Sequence, residues 1–142
     1  GIEIGGTRHE EPVSDDRVFD VAHQRPRFPD GDAALTEYVQ THIRYPKTAK
    51  ENNIQGRVVV QFVVTKLGHI GEVRVVRSKD ADLDKEAVRL VKSLPKFIPG
   101  TINDHPVNVW YTLPIQFRLE GSKASVEVPG KREEWRPPYK SR

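Results

Sequence analysis

From Val107 to Leu119 the chain reads VNVWYTLPIQFRL: every odd position is apolar, and every even one except Trp110 is polar or proline. A strict period of two over this length predicts a long strand with one buried and one wet face. Two β-branched runs, Arg57–Thr65 and Ile70–Arg77, flank the turn Lys66-Leu67-Gly68-His69 and predict a hairpin. Upstream, Leu35, Tyr38, Val39 and Ile43 recur at helical spacing behind Asp32, a candidate cap, and Pro46 ends the helix. A short turn is predicted from Pro46 through Lys50. Leu83, Ala87, Leu90, Val91 and Leu94 form one helical face, with acids at its start, Arg89 and Lys92 near its end, and Pro95 as its stop. The order is α-β-β-α-β. It predicts an α+β two-layer sandwich: a three-stranded antiparallel sheet with two helices on one face. Phe62, Leu90 and Phe117 belong to the core. The third strand follows a helix, so it pairs with an edge of the hairpin by a crossover.

Pro114 adds a topological clue. Proline donates no backbone hydrogen bond and is confined to edge strands or bulges. If its missing donor faces outward, the even residues own the outward N–H groups. Asn108, Trp110 and Thr112 then offer donors and acceptors to a visiting strand, and Pro114 ends the template.

The pattern fades at both ends. Residues 1–27 are mostly polar and without a period, with Val18, Phe19 and Val21 their one apolar cluster, and residues 120–142 are rich in charge, Gly and Pro. They are expected to be a flexible leader and a flexible tail around a unit of 28–119. Within the tail, Ser125-Val126-Glu127-Val128 has the alternation needed to join an edge. Charge is mixed throughout: net −2 in the leader, +3 in the unit and +2 in the tail. No basic block points to nucleic acid, and strands one and two lack the aromatic pair on which an RNA-binding sheet stacks bases. Arg74, Arg77 and Lys79 make a local basic patch, read as a solvated face or a contact to an acidic partner. No Cys or Met occurs, and no apolar run is long enough to span a bilayer.

Chemistry is sparse. His9, His23, His42, His69 and His105 show no metal-ligand spacing, and no serine sits in a nucleophile elbow. Asp80, Asp82 and Asp84 alternate like a cation loop but lead into a helix, where capping is the simpler role. No catalytic residue, metal or cofactor is expected. Trp110 breaks the wet face of the last strand and is expected to pack over the edge of the first helix or to await a ligand. Tyr45 is either a staple at the helix end or a contact beside a bound peptide.

Several pieces in one order carry a resemblance: Phe28-Pro29-Asp30-Gly31-Asp32, Tyr45-Pro46 with Ala49, Gly56 through Val64, Gly68-His69-Ile70, Val73 through Ser78, Leu83 through Ala87, Leu94 through Gly100, and Pro114-Ile115-Gln116-Phe117. Together they resemble the C-terminal periplasmic domain of the TonB family of energy transducers, in the form found in Bacteroides-type bacteria. The resemblance implies a domain that grips the N-terminal peptide of an outer-membrane TonB-dependent transporter by strand addition. An inner-membrane proton-driven motor complex would engage a membrane helix and spacer outside this sequence. Carried onto this chain, the partner-binding positions are Val107, Asn108, Val109, Trp110, Tyr111, Thr112 and Leu113, with Tyr45, Pro46 and Lys47 nearby. A homodimer through the open edge is compatible with this reading. The alternative is the same binding module on a membrane signalling or peptidase-like protein.

Overall fold

A computed structural model describes residues 17–120 and 123–128. Its elements are β1 (Val18–Phe19), α1 (Asp32–His42), α2 (Lys47–Glu51), β2 (Gly56–Val64), β3 (Ile70–Arg77), α3 (Ala81–Lys92), β4 (Gly100–Ile102), β5 (His105–Glu120) and β6 (Lys123–Glu127). The expected helix–strand–strand–helix–strand order is present, with three short strands added.

β5 is the spine of the sheet. Along one side it runs antiparallel to β2 in unbroken register from Gly56↔Phe117 to Val64↔Val109, and β3 pairs with the far side of β2. The period of two holds: Tyr111, Leu113, Ile115 and Phe117 are buried with Val58, Val60, Phe62 and Val64 in one cluster. The helices close that cluster with Leu35 and Val39 of α1, Ala49 of α2, and Leu83, Ala87, Leu90 and Val91 of α3. Phe28, Phe62, Phe97 and Tyr111 meet there ring to ring, with centroids 5.2 to 5.7 Å apart. Gly68 is required in the hairpin turn. Its φ is 88°, and a Cβ there would stand 2.2 Å from the Phe97 carbonyl oxygen.

Three expectations are corrected. The helix caps differ: Asp80 accepts from the N–H groups of Asp82 and Leu83 and caps α3, whereas Asp32 is the first residue of α1, behind Gly31, with no side-chain cap. Asp30 and Gly31 both have positive φ, so the chain turns sharply into α1 and the carboxylate enters the helix itself. Next, the leader is ordered well before residue 28. Val18 and Phe19 pair parallel to Asn108 and Val109, and Gln24 and Arg27 bridge to Thr101 and Ile98. Finally, the segment after Leu119 turns back as β6 against Gln116–Glu120, and Val128 is buried in the core. Residues 1–16 and 129–142 lie outside the described residues.

Candidate partner-binding edge

The free side of β5 decides what the domain can hold. Val59 faces Pro114 across the β2–β5 ladder. Proline has no N–H, so this is a non-hydrogen-bonded pair, and with no register shift the odd residues bond to β2. The even residues therefore point their N–H and C=O groups outward, as their parity and Pro114 predicted.

That outer side is not open along its whole length. β1 covers Asn108–Val109 and β6 covers Gln116–Glu120, while β4 pairs with His105–Val107 through the odd residues, on the side that faces β2. Among the described residues no strand covers Trp110–Ile115. This window leaves, among the described residues, the N–H of Thr112 and the carbonyls of Trp110, Thr112 and Pro114 without a strand partner; the Trp110 N–H, the outward donor beside the Phe19↔Val109 pair, is taken by the Phe19 carbonyl. The expected template is thus corrected at its start: Val107, Asn108 and Val109 already have partners in their own chain, while Trp110, Tyr111, Thr112 and Leu113 remain in the window. The Asn108 side chain reinforces the closure. Its Oδ1 accepts from the Lys66 N–H at 2.8 Å and its Nδ2 donates to the Arg17 carbonyl at 3.2 Å.

Side chains differ on the two faces of the window. Tyr111 and Leu113 point into the core. Burial, with the nearby Asp32 charge, pushes the Tyr111 phenol up to about 12. Trp110 and Thr112 point to the face without helices. Trp110 does not pack on the first helix; it lies under the Arg74 guanidinium, 3.9 Å from its ring centroid. Arg74 Nε and Nη2 donate to Gln61 Oε1, and Gln61 Nε2 donates to Thr112 Oγ1 at 3.1 Å. Gln61 was not singled out from the sequence, and Arg74 was read only as part of a basic patch. Their one legible signal was wet-face parity on adjacent strands.

Tyr45, Pro46 and Lys47 form a separate group. The Tyr45 ring packs edge-on against Phe117, with centroids 5.4 Å apart, and its hydroxyl donates to the Ile54 carbonyl. Burial raises its phenol pKa. Tyr45 is thus a staple at the stretch of β5 that β6 already covers. Pro46 caps α2, and Lys47 opens that helix and lines a shallow groove with Arg44, Lys85 and Arg89. His42 and His105 are exposed, and His42 stacks on Tyr38.

The family described as Gram-negative bacterial TonB protein C-terminal matches residues 41–119. This chain belongs to that family. Protein TonB of Vibrio cholerae is 27% identical over 116 residues, covering 81% of this chain and 46% of that protein. Protein TonB of Helicobacter pylori is 32% identical over 78 residues, covering 54% and 26%. The chain therefore spans less than half the length of these curated relatives. The solution structure of the Helicobacter pylori TonB C-terminal domain aligns with a TM-score of 0.49 at 26% identity, covering 62% of this chain and 92% of that one. The stretch matched by the family, residues 41–119, contains Tyr45–Lys47 and the Trp110–Ile115 window, whereas β1 and β6 fall outside that match.

Proposed function

We propose that this TonB C-terminal domain works in the periplasm as the receiving end of an energy transducer. It takes the N-terminal peptide of an outer-membrane transporter as an added strand along Trp110–Ile115. It would link that transporter to an inner-membrane proton-driven motor through sequence upstream of this chain. The role is binding and transmission of force, not catalysis. The observation that carries the reading is that, among the described residues, no strand pairs with Thr112–Ile115 in an edge covered on either side by the chain itself.

The window sets the strength of the grip. It offers one N–H group and three carbonyls, each worth about 0.5–1.5 kcal/mol net when paired. Association costs at least about 4 kcal/mol. Strand addition alone is therefore weak, and an affinity of order micromolar requires further contacts from the transporter. Such a handle can release as well as hold, and main-chain pairing lets one transducer serve peptides of different sequence.

The test is a titration of the chain with N-terminal peptides of outer-membrane transporters, alongside Thr112→Pro. This substitution removes an outward donor and leaves every backbone bond to β2 in place, losing only the side-chain bond from Gln61 Nε2. Loss of binding with an unchanged circular dichroism spectrum supports the reading. Binding as tight as that of the parent chain rejects it.

A further inference from the structure

The wet face of the window carries a row of side-chain hydrogen bonds whose direction is fixed. A guanidinium only donates, so the Gln61 carbonyl must face Arg74, where it accepts from Nε and Nη2 at 3.1 and 2.8 Å. The Gln61 amide nitrogen then faces the other way and donates to Thr112 Oγ1 at 3.1 Å. The Thr112 hydroxyl accepts from inside the sheet, which leaves its own proton to be given elsewhere. Thr112 stands mid-window, where β5 has no outer neighbour among the described residues. In an added strand the residue opposite Thr112 projects onto this same face, its Cβ about 4.5–5.5 Å away. The Arg74 charge, held by the neutral Gln61 amide and the Trp110 ring, polarises the row toward an acceptor at its far end.

We infer that Thr112 is a specificity-determining residue: it selects an extended peptide carrying a hydrogen-bond acceptor, best of all a carboxylate, at the position opposite it. The inference rests on strand addition at this window and adds the side-chain chemistry of the partner. It also gives Gln61 a role, since Gln61 sets which way the hydroxyl points.

The experiment uses the full chain and synthetic strand peptides of alternating Val and Thr, with one central position set to Asp, Asn, Ala or Lys. Cross-strand nuclear Overhauser effects establish which peptide residue stands opposite Thr112. The Asp peptide is expected to bind about tenfold tighter than the Ala peptide, with Asn between them and Lys weakest. Thr112→Val should abolish the Asp-over-Ala preference, and Thr112→Ser should keep it. Gln61→Glu accepts from both Arg74 and the Thr112 hydroxyl, turns the Thr112 lone pairs outward, and should reverse the order in favour of Lys. Equal binding of the Asp and Ala peptides, or an unchanged order in Gln61→Glu, overturns the inference while leaving strand addition intact. If no peptide perturbs the amides of Trp110–Ile115, strand addition and the inference fall together.

Discussion

Replacing Pro114 with threonine restores a donor at the position where the edge lacks one. Pro114 lies opposite Val59, while Leu113 and Ile115 make the inward bonds opposite Val60 and Val58. A new amide at position 114 therefore gains nothing from β2 and takes nothing from it. The side chain is half-buried on the wet face, so little apolar burial changes. Losing the proline restriction on the unfolded chain costs about 0.4–1 kcal/mol, partly offset by the strand preference of threonine. Stability should fall by less than about 1 kcal/mol, read from the urea midpoint by circular dichroism. Binding should change in the other direction. The window gains an outward donor beyond Thr112, and one net backbone hydrogen bond worth about 0.5–1.5 kcal/mol tightens an added peptide about two- to tenfold. A longer open edge should also raise self-association, measured by sedimentation. A loss above about 3 kcal/mol, or a new amide protected from exchange in the free monomer, would refute the assigned parity of the edge.

Three other outcomes follow from the packing and charges. Phe117→Ala empties a fully buried site under the Tyr45 ring and should cost about 3–5 kcal/mol in urea unfolding. Tyr111 keeps its proton in the folded chain up to about pH 12, against the ordinary value of 10.0. The stability it contributes is complete below pH 10 and is lost as pH rises toward 12, by about 2–3 kcal/mol; ultraviolet titration of the phenols alongside unfolding checks this. Burial alone would raise the Glu86 carboxyl, but hydrogen bonds from Arg89 and the Arg44 N–H, with both positive charges, hold it below the usual carboxylate range. Glu86→Gln should cost about 1 kcal/mol at neutral pH, a modest figure because Arg89 is half-exposed. Because the folded-state pKa is lowered, that difference should vanish once acid protonates Glu86 in the folded chain.

The parts of this domain that were legible in the sequence are those whose cause is local. Leu83 to Leu94 shows its helical face, and Val107 to Leu119 its alternation, before any contact is known. Pro114 reported the sidedness of β5 because a missing N–H has the same meaning in every fold. What escaped depends on the assembled sheet. β1 consists of Val18 and Phe19 alone, too short to show a period, and it exists because β5 leaves an outer edge at Asn108–Val109. Ser125–Val128 has the alternation, but only the position of Gln116–Glu120 decides that it turns back. The Arg74–Gln61–Thr112 row needs the registers Gln61↔Arg74, set by the irregular pairing within the hairpin, and Gln61↔Thr112, set by pairing between distant segments. Tyr45–Lys47 joined the expected site through resemblance, and packing on Phe117 places Tyr45 behind the stretch covered by β6.

Amide hydrogen exchange residue by residue along β5, in the free monomer and then with a transporter-derived peptide bound, tests the open window most directly. In the free chain Thr112 should exchange fast between slow Tyr111, Leu113 and Ile115, with Asn108 and Trp110 slowed by the leader strand, and the peptide should protect Thr112 alone among these. Slow exchange at Thr112 before any peptide is added would contradict the account.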